Sequence, residues 1–190
     1  MSQEIEIEFK NLLTEAEFNR LLNVLPFPKN ARQQINYYFE TNNRHLKQSQ
    51  TALRIRKINN EYRLTIKEPH PEGLLETHDM LTKQEAHQWL NGSPTQTTNV
   101  FKRLQANQID LNDLNYYGQL TTDRWIYETE AGAIVVLDYS VYNGHVDYEL
   151  EVESPTRELG TKVFKYILNN YEIVKKSTPN KIERFFSTLT

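Results

Sequence analysis

The chain has 190 residues, with 22 Lys and Arg against 25 Asp and Glu, five His and no Cys. That length accommodates one domain with a sizeable core, expected here over residues 1–190, and a net charge of −3 argues against a generally basic nucleic-acid binder. The lack of cysteine excludes a disulfide scaffold, a thiolate metal site and a cysteine nucleophile.

The start, MSQEIEIEFK, alternates Glu4, Glu6, Glu8 and Lys10 with Ile5, Ile7 and Phe9. Period two predicts a strand with one charged and one apolar face, and neither a signal nor a transit peptide. No run approaches the roughly 18–20 apolar residues of a membrane span, so a soluble, cytoplasmic protein without a membrane partner is expected. Thr14 and Glu17 form a capping box before Phe18, Leu21, Leu22 and Leu25, a one-faced helical stripe that Pro26 and Pro28 end. Strands are predicted over 33–41, 51–58 and 61–67, the last two joined at Asn59-Asn60, and over 74–81. Thr82 and Glu85 make a second capping box, ahead of Ala86, Trp89 and Leu90. Residues 91–118 are polar and weakly patterned and read as short helical turns and loops. Strands follow over 119–129, 133–139 and 145–153, with Asn143-Gly144 as a hairpin turn. Ser154-Pro155 and Thr178-Pro179 read as the starts of two final helices.

The charges on these strands are sorted. Glu4, Glu6 and Glu8 share one face; Asp147, Glu149, Glu151 and Glu153 share another, interleaved with Tyr148, Leu150 and Val152. Successive same-face carboxylates lie roughly 6.5–7 Å apart, which is repulsive unless water or a cation intervenes. Basic residues take the middle strands: Arg54 and Arg56 on one, Arg63 and Lys67 on the next, and Arg124 further on. A merely solubilising surface would interleave both signs. With the apolar faces covered by helices, closure of the sheet would leave a charged, wet interior with an acidic and a basic wall. All-oxygen carboxylate clusters suit Mg²⁺ or Mn²⁺, and Arg and Lys suit phosphate oxygens. Asp138, at the end of a strand, could orient a Lys or Arg of that interior, and Tyr38 and Tyr127 could reach it.

These blocks, in this order, resemble the CYTH domain, or triphosphate tunnel metalloenzyme, family. Its Glu-x-Glu-x-Lys signature is matched by Glu6, Glu8 and Lys10, its Arg-x-Arg strand by Arg54 and Arg56, and the strand ending in Lys by Lys67. Glu76, Arg124 and the pair Glu151 and Glu153 match later blocks, with Glu149 on the same face and Lys176 or Lys181 as the late lysine. The chain looks closest to small stand-alone bacterial members described as triphosphatases or adenylate cyclases. Glu4, an extra acid, and His78, where some members carry Arg, depart from the pattern.

The resemblance implies an α+β fold: an eight-stranded antiparallel closed β-barrel, or tunnel, with amphipathic helices packed outside. It implies Glu6, Glu8, Lys10, Glu151 and Glu153 as the catalytic set. Arg54, Arg56, Lys67, Glu76, Arg124, Lys176 and Lys181 would hold substrate. Glu6, Glu8, Glu149, Glu151 and Glu153 would hold Mg²⁺ or Mn²⁺. The expected activity is metal-dependent hydrolysis of a triphosphate-containing small molecule, releasing orthophosphate. The alternatives are cyclisation of ATP to cyclic AMP and pyrophosphate, or a module that only binds polyphosphate or nucleotide. The five scattered histidines lack the helical spacing of a zinc hydrolase, and only His78 falls on an expected lining strand.

Overall fold

A computed structural model describes residues 3–189. Its strands are β1 (Gln3–Glu6), β2 (Glu8–Leu13), β3 (Arg32–Thr41), β4 (Ala52–Ile58), β5 (Glu61–His70), β6 (Gly73–Leu81), β7 (Leu114–Glu128), β8 (Ile134–Tyr142) and β9 (His145–Glu153). Its helices are α1 (Glu15–Val24), α2 (His45–Gln48), α3 (Lys83–Leu90), α4 (Asn99–Ala106), α5 (Arg157–Asn170) and α6 (Lys181–Ser187). No helix among the described residues is long and apolar enough to cross a membrane.

The fold is α+β, with strand order β1-β6-β5-β4-β3-β7-β8-β9-β2. The order begins and ends on two pieces of the same N-terminal run, as in an antiparallel barrel. The strand count is nine rather than eight because that run changes partner at Ile7: β1 adjoins β6, whereas β2 pairs with β9. The described residues fall into two compact units. One joins the residues up to Ile5 with Gln34–Leu120; the other joins Glu6–Gln33 with the chain from Thr121 onward. Neither unit is a contiguous stretch: the chain passes from one to the other after Ile5, Gln33 and Leu120.

In the first unit, alternation puts Leu53, Ile55, Leu64 and Ile66 of β4 and β5 on one sheet face. They are fully buried with Ala86 and Trp89 of α3 and Val100 and Leu104 of α4. Trp89 meets Phe39 edge-on, ring centres 5.4 Å apart, a favoured aromatic geometry. The helix α4 lies within the stretch read as short helical turns and loops, and is about two turns long. Its start is stabilised from another strand: the Asp79 carboxylate accepts the backbone N–H of Asn99 at 2.9 Å and of Val100 at 2.7 Å. The unpredicted α2 is built alike, with buried Glu40 accepting from the N–H of Leu46 at 3.0 Å and Lys47 at 2.9 Å.

In the second unit, Leu150 and Val152 of β9 and Val135 and Leu137 of β8 pack with Phe18 and Leu21 of α1 and Phe164 and Ile167 of α5. Both predicted capping boxes, at Thr14 and Thr82, are present. The last two helices start later than expected. Thr156, not Ser154, caps α5 through its hydroxyl and the Leu159 N–H, and Asn180, not Thr178, opens α6 in a capping box with Glu183. Helix α5 approaches β2 closely at Gly160, where a Cβ would stand 2.4 Å from Phe9 Cε2 and 2.8 Å from Cδ2. Gly160→Val is therefore expected to destabilise the protein by about 1–3 kcal/mol through overpacking. Urea unfolding should show a lower midpoint at unchanged slope, and adding Phe9→Ala should recover part of the loss. An unchanged midpoint would show that Phe9 gives way freely.

Candidate functional site: two charged strand faces

Each unit carries charge on the sheet face opposite its core. In the first unit, Arg54 and Arg56 of β4, Arg63, Thr65 and Lys67 of β5, and Glu76 and His78 of β6 share that face. The register sets Lys67 beside Glu76, Thr65 beside His78 and Thr65 beside Arg54. Glu76 is the buried anchor: its Oε1 pairs with the Lys67 ammonium and lies 3.7 Å from Arg54 Nη2. Burial alone would push its carboxyl up, but Lys67, Arg54 and Arg56 together hold it down at about 2. Arg56 Nε donates to Asn36 Oδ1 at 3.1 Å. Arg54 Nε is buried with no hydrogen-bond partner among the described residues, a donor that suits an incoming oxyanion. Tyr38, buried, stands opposite Arg54 in the β3–β4 register.

In the second unit, β2 contributes Glu8 and Lys10, β9 contributes Asp147, Glu149, Glu151 and Glu153, and β8 and β7 contribute Asp138 and Arg124. Glu8 stands opposite Glu153, Lys10 opposite Glu151, and Asp138 opposite both Glu149 and Arg124. Asp138 takes a two-pronged contact from Arg124, Nε to Oδ1 at 2.8 Å and Nη2 to Oδ2 at 2.6 Å. This is the orienting role its position suggested. Arg124 also reaches Glu151 Oε2 at 2.7 Å and lies 3.8 Å from Glu153 Oε1. Lys10 pairs with Glu8 at 3.2 Å.

Helix α6 adds two cations to this face. Lys181 Nζ sits among Asp138 at 2.8 Å, Glu149 at 2.7 Å and Glu151. Arg184, one turn on, meets Glu149 Oε2 at 2.5 Å and Asp147 Oδ2 at 2.7 Å. Burial opposes the charged forms of Lys181 and Arg124, yet the surrounding carboxylates hold both well above their ordinary range. Burial likewise opposes ionisation of Glu151, but Lys181 and Arg124 drive its carboxyl well below 4.5. Glu153 goes the other way. Burial, followed by repulsion from Glu151, Glu6 and Glu8 against partial relief from Arg124, raises it to about 7.

The second unit thus brings together Glu8, Lys10, Arg124, Glu149, Glu151, Glu153 and Lys181, with Glu6 close enough to act on Glu153. The first unit brings together Arg54, Arg56, Lys67 and Glu76. Lys176 stands elsewhere, its Nζ pairing with Glu17 of α1 at 3.2 Å, which leaves Lys181 as the late lysine on the charged face. Tyr127 packs on Phe27, ring centres 4.8 Å apart, within the core. Asp147 lies on the face that alternation predicts, and Arg184 is the participant that motif spacing does not reveal. The only signal was the helical stripe of Ile182, Phe185, Phe186 and Leu189, which places residues 181 and 184 one turn apart.

The sequence pattern of the CYTH domain matches residues 4–186. The chain belongs to the CYTH domain family. A Bacillus subtilis relative named "Putative triphosphatase YjbK" is 43% identical over 187 residues, covering 98% of this CYTH chain and 96% of the relative. The crystal structure of a protein from Bacillus halodurans, called a "putative adenylate cyclase", superimposes with a TM-score of 0.94 at 40% identity, over 98% of this chain and all of that one. A Hippeastrum structure shares the CYTH fold at a TM-score of 0.78 and 24% identity, with 96% of each chain covered.

Proposed function

We propose that this CYTH protein is a metal-dependent triphosphatase, acting with Mg²⁺ or Mn²⁺. The sorting of charge between its two strand faces carries the reading. Arg54, Arg56 and Lys67 converge on one buried carboxylate, and Arg54 Nε has no described hydrogen-bond partner. This basic set would hold phosphate oxygens, with Glu76 keeping the Lys67 and Arg54 side chains in place. Arg124 and Lys181, fixed by Asp138, would add further phosphate contacts.

The carboxylates of the second unit fit a hard divalent ion. The donors are all oxygen, and Glu153 is crowded by Glu6, Glu8 and Glu151 with only distant relief from Arg124. Glu6, Glu8, Glu151 and Glu153 would hold the ion, whose chemistry when bound is neutralisation of charge on the phosphate oxygens. Glu149 Oε2 is taken up by Lys181 and Arg184, which docks α6, while its buried Oε1 has no hydrogen-bond partner among the described residues and would be left for the ion. The identity to the Bacillus subtilis relative, over nearly all of both chains, supports hydrolysis. The name of the Bacillus halodurans structure favours cyclisation as the second reading.

One screen decides between them. The purified chain is given tripolyphosphate, ATP, GTP and thiamine triphosphate, each with Mg²⁺ and with Mn²⁺. Orthophosphate release from at least one is expected. Cyclic AMP and pyrophosphate from ATP, without orthophosphate, would replace hydrolysis by cyclisation. Metal-independent binding without turnover would leave only a binding module.

A further inference from the structure

One ligand atom from each of Glu4, Glu76 and His78 converges in the first unit. His78 Nε2 lies 3.1 Å from Glu4 Oε1 and 3.5 Å from Glu76 Oε2, and all three atoms lie within 4.8 Å of one another. We propose that Glu4, Glu76 and His78 form a second divalent-cation site within the first unit, suited to an ion that accepts imidazole as well as carboxylate, such as Co²⁺, Zn²⁺ or Mn²⁺.

Three observations support it. The first is the spacing. Ligand bonds of about 2.1 Å place neighbouring donors about 3.0 Å apart around an octahedral ion and about 3.4 Å apart around a tetrahedral one. The two separations from His78 Nε2, 3.1 and 3.5 Å, lie close to those edges, and the flexible, exposed Glu4 side chain can adjust the third. The second is the orientation of the ring. His78 Nδ1 is engaged by the hydroxyl of buried Thr65 at 2.9 Å, directly across the β5–β6 ladder. When Nδ1–H donates to that hydroxyl, Nε2 presents its lone pair to two carboxylate oxygens. Three electron-rich atoms then face one another, and a cation resolves the repulsion. A fixed outer partner on the second ring nitrogen is the usual accompaniment of a metal-bound histidine. The third is the division of labour on Glu76. Its Oε1 faces Lys67 and Arg54, and its Oε2 faces His78, so the pair with lysine does not use the oxygen offered to the ion.

The site is half open. The Glu4 side chain is 62% exposed, whereas Glu76 and His78 are 7% and 11% exposed. An ion can therefore enter from Glu4 and lodge against two pre-positioned ligands. The imidazole distinguishes this site from the all-oxygen set of the second unit, since nitrogen ligation selects against Mg²⁺.

The test uses the full chain and metal alone, so it is independent of any triphosphatase activity. Co²⁺ titration, read by visible absorption and by bound-metal stoichiometry, is run on the wild type, His78→Gln and Glu4→Gln. Each variant is expected to lose one bound equivalent or to bind it at least about tenfold more weakly. Pulsed electron paramagnetic resonance of bound Mn²⁺ should show coupling to an imidazole nitrogen in the wild type and none in His78→Gln. Glu4 is exposed, so Glu4→Gln keeps the proposal testable even where His78→Gln folds poorly. Glu153→Gln should retain the nitrogen-coupled ion. Unchanged Co²⁺ binding in Glu4→Gln, or a wild-type Mn²⁺ signal without nitrogen coupling, overturns the site. In that case Nε2–H simply donates to Glu4.

Discussion

Asp138→Ala is expected to destabilise the protein by about 3–5 kcal/mol, the range for breaking a buried ion pair by removing one partner. Asp138 is completely buried and is the common counter-charge of Arg124 and Lys181. Its removal leaves two buried cations dependent on Glu149, Glu151 and the more distant Glu153. At about 2–4 °C per kcal/mol for a chain of this size, the melting temperature should fall by roughly 6–20 °C. Asp138→Asn retains shape and one acceptor oxygen and should lie between. In a Lys181→Met background the penalty of Asp138→Ala should shrink, because one of the stranded cations is gone. A melting temperature within a degree or two of wild type would show that the network is decoration on an independently stable sheet.

The pH dependence of this network has a defined sign. Glu151 is held well below 4.5, so its contribution is present above 4.5 and is lost as pH falls through its folded-state value. Lys181 is held well above 10.5, so its contribution is complete below 10.5 and is lost as pH rises through its folded-state value. The network therefore supports the fold across the whole neutral range. Acid unfolding should come earlier in Glu151→Gln than in wild type.

What could be read in the sequence was whatever the chain encodes locally. Period-two alternation put Arg54 and Arg56, and Glu149, Glu151 and Glu153, on single faces; the cross-strand pairing of Glu8 with Glu153 and Lys10 with Glu151 is set by the register and was not legible. The capping boxes at Thr14 and Thr82 are complete within four residues and were legible for that reason. Helix α2 was not legible, and α4 only as unplaced short helical turns, because Glu40 and Asp79 cap them from strands 6 and about 20 residues away. The late lysine was ambiguous for a similar reason. Lys176 and Lys181 are equally basic in sequence, and only the start of α6 at Lys181 turns one toward Asp138 while the other meets Glu17. Arg184 follows from that same docking, and no motif spacing contains it.

Glu153→Gln is expected to cut metal-dependent turnover at least about a hundredfold while making the metal-free protein more stable. Both effects come from one cause. Glu153 is pushed up to about 7 by burial first and then by Glu151, Glu6 and Glu8. A carboxyl with a raised folded-state value binds its proton more tightly when folded than when unfolded. Folding is thus favoured most below about 4.5, and that advantage is lost as pH rises from there to 7. Above 7 the ionised group repels its neighbours, by up to roughly 3 kcal/mol at 1.36 kcal/mol per pKa unit. Gln mimics the protonated state at every pH. In metal-free melts the variant should therefore come closest to wild type below about pH 4.5 and exceed it by several degrees at pH 8; a gap that fails to widen would show that the acidic face is not frustrated. The same proton competes with the ion. Apparent metal affinity of the wild type should weaken about tenfold per unit below pH 7 and level off above it, with proton release on binding near neutral pH. Under the proposed function, repulsion among Glu6, Glu8, Glu151 and Glu153 would draw a divalent ion to this face, and ion binding would recover the stability forgone without metal.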